Sequence, residues 1–323
     1  MGPPAYANFS PSEKVSRMAD MHPAELAILL HRALEVRLAR LQELLAAPDW
    51  PEQDEPLHQV RVAARRLGAV LDLVDPEAYP AHKGRRRALK DLVDVLGLTR
   101  ELDVHALHLR ERHAEARTPC QTAVIEHLQE RVDRERAKTR KAMHRELDRL
   151  RLPDLGRLLD VPSLPAPFQS TSLQEAAWAA LEARAAAALD PIPALVERED
   201  PAALHKGRVR LKKLRYALEA LEGAFPVPPE ALLDRLKGLQ SALGEHHDLA
   251  ALEALLWAEE SRLRSHDRVV LCGGILEVLG DVAEARRAAF VAFTDRVRGL
   301  DAAAFAQVVR PALGLPAGPG VPR

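Results

Sequence analysis

The chain has 323 residues, of which 47% are hydrophobic and only 4% aromatic, and its formal net charge is −1 at pH 7. This length predicts about two domains, and the composition excludes collagen-like and wholly disordered proteins. A generic nucleic-acid binder would be more basic overall, so any anion site here must arise from local clustering of cations. The two cysteines are too few for a disulfide framework.

The amino-terminal segment lacks the charged and then apolar pattern of a signal peptide. No apolar run approaches the ~18 residues that a membrane span requires. We therefore expect a soluble cytoplasmic protein without a membrane partner.

Long amphipathic blocks separated by proline-rich breaks predict an all-α protein. In chain order, the predicted helices cover residues 12–47, 57–74, 83–113, 119–150, 173–189, 201–222, 229–264 and 268–300. A stretch punctuated by prolines and without helical periodicity separates the first four from the last four. The predicted organisation is a flexible N-terminus (1–11), a first four-helix half (12–152), a proline-rich linker (153–171), a second four-helix half (172–305) and a C-terminal tail (306–323).

The two halves share an internal repeat. Residues 57–62 (LHQVRV) align with residues 204–209 (LHKGRV), and the same offset pairs Leu96-Gly97 with Leu243-Gly244. One constant offset relates all four helices of each half without gaps. The repeat therefore predicts that the chain is a duplication of a four-helix unit.

The second helix of each half carries basic residues on the side opposite its apolar stripe. The first-half line consists of His58, Arg61 and Arg65, flanked by Arg66. The second-half line consists of His205, Arg208 and Lys212, flanked by Lys213 and Arg215. Like charges one turn apart repel by a few tenths of a kcal/mol, so such a line costs stability unless it binds an anion. A solvated basic face is the alternative for one helix, but its repetition in both halves favours an anion site.

The third helices add cations to this pattern. Arg86 and Lys90 share a face one turn apart, and Lys237 repeats Lys90 in the second half, whereas the arginine has no basic counterpart. Gly97 and Gly244 lie within helical patterns, where glycine costs about 1 kcal/mol relative to alanine. They predict close helix packing more than direct approach of a phosphate.

The residue types on these faces favour a phosphate polymer as the ligand. Arginine offers a planar fork for phosphate oxygens, and lysine offers a mobile point charge. Neither reads bases, and the basic faces contain only one aromatic residue, Tyr216, on which a base could stack. An anion of dense charge without bases therefore fits best.

The doubled motif resembles the CHAD domain, the conserved-histidine α-helical domain. The similarity is carried by residues 57–67 and 204–214 and by residues 96–104 and 243–248, and it extends over about residues 12–305. It implies two four-helix bundles related by a pseudo-twofold axis. It further implies a basic groove between them that binds inorganic polyphosphate, and association with polyphosphate granules and their proteins.

Most of the family's binding positions match in this sequence. The matching residues are His58, Arg61, Arg65, Arg66, Lys90, Arg100, His205, Arg208, Lys212, Lys213 and Lys237. To these we add Arg86 and Arg215, which lie on the same helices. The sequence departs from the family pattern at Gly68, where a basic residue is usual, and at Glu101, where aspartate is more common. His247 stands at the second-half equivalent of Arg100.

Catalytic and metal-binding alternatives find less support. Glu101, His105 and His108, and likewise residues 245–248, bring possible metal ligands together, but without the Glu-x-x-His pairs of di-iron bundles. The sequence contains no HExxH, P-loop or nucleophile-elbow motif. We therefore expect a protein that is not an enzyme and needs no cofactor or metal. Nucleic-acid binding in the same groove and metal-dependent phosphohydrolysis are the alternatives.

Both Trp178 and Trp257 are expected in the core.

Overall fold

The computed structural model describes residues 24–74, 82–150 and 172–317. This part of the chain is helical and contains no β-strand, which confirms the prediction of an all-α protein. The predicted flexible N-terminus and the proline-rich linker lie outside the described residues.

The helices of the first half are α1 (Ala24–Ala46), α2 (Asp54–Leu71), α3 (His82–Val95), α4 (Gly97–Glu115) and α5 (Pro119–Leu150). The single helix predicted for residues 83–113 is therefore two helices, which meet at Leu96. Gly97 begins the second of them. A glycine permits such a break but does not require one, since the equivalent Gly244 lies within one continuous helix.

The helices of the second half are α6 (Leu173–Leu189), α7 (Ile192–Glu197), α8 (Pro201–Ala220), α9 (Glu230–Arg264), α10 (Val269–Val297) and α11 (Ala302–Ala312). The Asp200 carboxylate caps α8 by accepting a hydrogen bond from the Ala202 amide at 2.9 Å. Here the counterpart of α3 and α4 is one uninterrupted helix, α9.

Helix α11 crosses the predicted boundary between the second half and the C-terminal tail. The Asp301 side chain accepts a hydrogen bond from the Ala304 amide at 2.7 Å, which starts the helix. Phe305, Val309 and Leu313 are fully buried. The chain therefore stays packed against the core beyond residue 305, because apolar residues recur at helical spacing there.

The two hydrophobic cores each combine helices from both halves. The first joins α1, α2 and α3 with α6, α7, α8 and α11, together with the adjoining ends of α5, α9 and α10. The second joins α4 and α5 with α9 and α10. Neither half therefore encloses a core of its own.

The apolar stripes predicted for α2 and α8 lie in the first core, for example at Leu57, Leu67, Leu204 and Leu214. Trp178 is buried as expected, but the prediction for Trp257 is wrong, because its side chain is 49% exposed. Trp257 follows Leu256 on α9 and points away from the stripe that this leucine shares with Leu249 and Leu252.

Two arginines at equivalent positions join the halves reciprocally. Arg37 on α1 donates a hydrogen bond to the Glu219 carbonyl, near the end of α8, at 3.0 Å. Arg184 on α6 donates to the Asp72 carbonyl, at the end of α2, at 2.5 Å. Each arginine thus satisfies a carbonyl that the end of a helix leaves without an intrahelical partner. Across the described helices, none is long and apolar enough to cross a membrane.

Candidate polyanion-binding groove

A cavity of about 490 Å³ lies between α2, α3 and α4 on one side and α8 and α9 on the other. We call this cavity the groove. Three carboxylates line it, those of Asp72, Glu101 and Asp248. Against them stand eight basic side chains, those of Arg61, Arg65, Arg86, Lys90, Arg100, Arg208, Lys212 and Lys213. The groove therefore has a strong excess of positive charge, although the whole chain is nearly neutral.

Ten of the thirteen residues predicted for the site line the groove, namely these eight cations together with His58 and His205. The other three do not line it and have partners elsewhere. Arg66 lies 3.5 Å from the Glu219 carboxylate, and Lys237 donates to Asp234 at 2.9 Å. Arg215 donates to Gln240 at 2.9 Å and to Glu219 at 2.7 Å. Arg66 and Arg215 flank the groove-facing line of α2 and α8, whereas Lys237 lies on α9 ten residues before the nearest lining residue of that helix, His247.

Two of the lining cations are paired with carboxylates of the chain. Arg86 donates two hydrogen bonds to Asp72, at 2.6 and 3.1 Å. Lys90 donates to Asp94 at 2.5 Å. The α3 side of the groove is therefore partly neutralised, and the unpaired charge comes from α2, α4 and α8.

Arg61 on α2 and Arg208 on α8 are the central pair of the groove. The Nε atoms of both are buried and have no hydrogen-bond partner among the described residues. Burial and the nearby charges of Arg65 and Arg100 lower the pKa of Arg61 to about 10. Burial also lowers the pKa of Arg208, although Asp248 opposes the shift. A buried donor without a partner is costly, and an anion placed between these two guanidinium groups would satisfy both.

Each of the two arginines lies next to a motif glycine, and the approach is tight at Gly244. A Cβ atom at Gly244 would lie 3.1 Å from a terminal nitrogen of Arg208, and one at Gly97 would lie 3.5 Å from the equivalent nitrogen of Arg61. Each arginine thus packs against the helix surface at the glycine of its own half. At these glycines we expected close packing of helices, and the neighbour at each is an arginine side chain that lines the groove.

Lys212 is the lysine most affected by the groove. Burial and the charges of Arg208 and Arg65 lower its pKa to about 7. The amine therefore titrates near neutrality, because the neutral form avoids both desolvation and like-charge repulsion.

Four histidines line the groove, two more than we predicted. The ring centroids of His205 and His247 are 4.4 Å apart. Burial lowers the pKa of all four, and the charge of Arg100 adds to the effect at His58. His105 has no hydrogen-bond partner among the described residues for either ring nitrogen. These rings would gain protons on contact with a polyanion.

The polar lining residues that sequence reasoning did not assign to the site are His105, His247, Tyr216, Asp72, Glu101 and Asp248. Their positions follow the repeat in part, since Asp248 is the second-half equivalent of Glu101. The repeat is the sequence signal that could have assigned Glu101 and Asp248 to the site. In the sequence, His105 is a candidate metal ligand only, whereas His247 also stands at the equivalent of Arg100. Neither was assigned to the groove, because sequence spacing alone cannot show which helix faces meet.

Ion-pair networks hold the helices that carry the site. Arg136 and Arg140 on α5 both donate to Asp54, the first residue of α2, at 2.7 Å. In the second half, Arg286 on α10 lies against Glu199, immediately before α8, and donates to Glu253 at 2.9 Å. The N-terminal ends of α2 and α8 are thereby fixed relative to the long helices.

No three His, Cys, Asp or Glu side chains come together as a metal site in residues 24–74, 82–150 and 172–317. Of the clusters considered from the sequence, Glu101, His105, His247 and Asp248 line the groove, whereas two histidines have carboxylate partners elsewhere. His108 lies 3.3 Å from Glu111, and His246 lies 2.9 Å from Glu199.

These features define an all-α protein with a cationic groove between its two sets of helices. The family model of the CHAD domain matches residues 29–257. The chain therefore belongs to the CHAD family, in which polyphosphate binding is a general property.

Two solved structures have a similar fold. PptA from Streptomyces chartreusis is 18% identical, with a TM-score of 0.65 over 84% of this chain and 98% of that one. The CHAD domain from the plant Ricinus communis is 23% identical, with a TM-score of 0.56 over 93% of this chain and 94% of that one. No curated protein matches the sequence.

Proposed function

We propose that this protein binds inorganic polyphosphate in the groove and catalyses no reaction on it. The observation that carries the proposal is the pair of arginines Arg61 and Arg208, whose buried Nε atoms lack partners among the described residues. The composition of the groove supports the proposal, because eight basic side chains and only three carboxylates line it. A polyanion would satisfy the orphaned donors and relieve the repulsion among these cations.

We further propose that the two halves are duplicated four-helix units related by a pseudo-twofold axis. Two reciprocal arrangements support this relation. Arg37 and Arg184 occupy equivalent positions, and each caps a helix of the other half. The pairing of Arg61 with Gly97 is repeated by Arg208 with Gly244. Duplication would supply the ligand with matched cations on its two sides.

Binding would be multivalent, because many phosphates meet many cations along one chain. If about six phosphates are neutralised at once, a tenfold rise in salt should weaken binding by roughly four orders of magnitude, taking the slope for single-stranded nucleic acid. An affinity that hardly depends on salt would contradict this mechanism.

The direct test is a calorimetric titration with long-chain polyphosphate, comparing the wild type with Arg61→Ala/Arg208→Ala. We expect the variant to lose most of the affinity, because both central cations are gone. Arg134→Ala/Lys138→Ala is the matched control. It removes two positive charges from an exposed face of α5, where acidic neighbours already pair them. Equal affinity of the wild type and the Arg61→Ala/Arg208→Ala variant would contradict the proposal.

Two further assays separate the proposal from its alternatives. Single-stranded RNA should compete poorly against polyphosphate at equal charge concentration, because the groove offers Tyr216 as its one phenolic or indole ring. No orthophosphate should be released from polyphosphate in the presence of Mg²⁺ or Mn²⁺. Preferred binding of RNA would favour a nucleic-acid-binding protein, and release of orthophosphate would favour a phosphohydrolase.

Family membership supports one extension, namely that the protein resides in the cytoplasm and associates there with polyphosphate granules and their proteins. Imaging of the tagged protein together with stained granules tests it. The Arg61→Ala/Arg208→Ala variant should be lost from the granules if the groove recruits the protein. Retention of that variant would show that recruitment does not depend on the groove.

A further inference from the structure

The size of the groove limits how much of a polymer it can hold. Its volume of about 490 Å³ is that of a pocket for one small molecule. If polyphosphate is the ligand, as proposed above, only a short segment of a long chain fits inside. The remainder must leave the groove and pass over the surface of the protein.

A set of exposed cations begins at the rim of the groove. Lys213 lines the groove and is itself exposed, and Lys206 and Arg210 are exposed on the same helix, α8. At 100° per residue these three side chains lie within about 60° of one another. We call them the outer strip.

Lys206 and Arg210 have no carboxylate partner among the described residues. Helix α8 contains no acidic residue before Glu219, so they have no i+3 or i+4 acid on their own helix. The exposed cations of α5 differ, since Lys138 pairs with Glu135 and Arg134 with Glu130. Lys206 and Arg210 are one turn apart, and their mutual repulsion costs a few tenths of a kcal/mol in the absence of an anion.

The outer strip exists on one half only. The equivalents of Lys206 and Arg210 on α2 are Gln59 and Ala63, and Ala63 is buried. Arg66, the equivalent of Lys213, lies against Glu219. A polymer leaving the groove therefore finds unpaired cations on the α8 side and none at the matching positions of α2.

We propose that the outer strip is a second binding segment, which holds the part of a long polyphosphate chain that extends beyond the groove. It makes the protein selective for long chains over short ones. A short oligomer satisfies the groove alone, whereas a long chain also reaches Lys206 and Arg210.

The test is Lys206→Ala/Arg210→Ala, titrated with tripolyphosphate and with long-chain polyphosphate over a range of salt concentrations. For the long chain, loss of two contacts should make the slope of log affinity against log salt shallower by about 1.4. A tenfold rise in salt then costs the variant ~25-fold less affinity than it costs the wild type. The affinity of the variant for tripolyphosphate should stay within about twofold of the wild-type affinity, because exposed charges outside the contact region contribute little.

Two matched variants make the outcome decisive. Arg134→Ala/Lys138→Ala removes an arginine and a lysine at the same i,i+4 spacing and should leave both ligands unaffected. Arg61→Ala/Arg208→Ala should weaken both ligands. Two outcomes for Lys206→Ala/Arg210→Ala would contradict the proposal for the outer strip and leave the proposed site in the groove unaffected. These are an unchanged salt slope for the long chain and an equal loss of affinity for both ligands. Failure of the wild type to bind either ligand would instead overturn the proposed function itself.

Discussion

Single residues in the groove are not optimised for the stability of the empty protein. Arg61 and Arg208 are half-buried cations whose Nε donors are buried and unpaired among the described residues. Desolvation and the neighbouring cations lower the pKa of Lys212 to about 7. Buried charges without partners are destabilising, so their presence indicates a compensating ligand. Such conflicts between local stability and side-chain choice are typical of functional sites.

Lys212→Met tests this conflict. In the folded protein the lysine pKa is about 7, below its ordinary value of 10.5. The unfolded chain therefore binds more protons between these two values, and the destabilisation is fully present below pH 7 and fades as pH rises towards 10.5. We expect Lys212→Met to raise Tm, and to raise it more at pH 6 than at pH 9. A Tm below that of the wild type at pH 6 would contradict the assignment.

The same variant should bind polyphosphate more weakly at pH 6 and lose part of the pH dependence of binding. In the wild type, the polyanion favours the protonated forms of Lys212, His58 and His205, so binding should be tighter at pH 6 than at pH 8. Lys213, which follows Lys212 and is exposed, provides the control for the prediction on Tm. The variant Lys213→Met should leave Tm nearly unchanged. Calorimetric titrations and thermal denaturation at both pH values supply the measurements.

At the scale of elements, much of the site was predictable from the sequence. The periodicity of α2 and α8 placed Leu57 and Leu204 in the core and His58, Arg61, His205 and Arg208 on the opposite face. The contributions of α3 were less predictable, because sequence periodicity does not show that Arg86 and Lys90 meet Asp72 and Asp94. The break between α3 and α4 was also missed, since the amphipathic pattern continues through Leu96.

The reciprocal caps give an element-scale prediction. Removing Arg184 leaves a carbonyl at the end of α2 without its charged donor, so Arg184→Ala should lower the free energy of unfolding by about 1 kcal/mol. Arg37→Ala should have a similar effect at the end of α8. Urea denaturation measures both.

Arg40→Ala is the control for the caps. Arg40 lies on α1 with Arg37, but its side chain is 53% exposed and it pairs only with Glu43 on its own helix. Its removal should change the free energy of unfolding by less than about 0.5 kcal/mol. Equal effects of Arg37→Ala and Arg40→Ala would show that the contact with Glu219 adds nothing to stability.

For the whole molecule, the shared cores predict one cooperative unit. Leu128 in the first half packs in the same core as Leu252 and Ile275 in the second. Leu128→Ala should therefore lower the stability of the entire protein by about 2–5 kcal/mol and keep a single unfolding transition. Scanning calorimetry measures the number of unfolding transitions. Halves that unfold independently would give two transitions, one of which the substitution would leave unchanged.

The helical content, the repeat of the motif residues and the positively charged helix faces can all be predicted along the chain. These properties depend on composition, local periodicity and residue spacing. The packing of the helices is needed to see that these faces meet in one groove, with Arg66, Arg215 and Lys237 outside it and His105 and His247 within it. Such proximity depends on how distant helices pack, and the shared cores place them together through contacts between the halves.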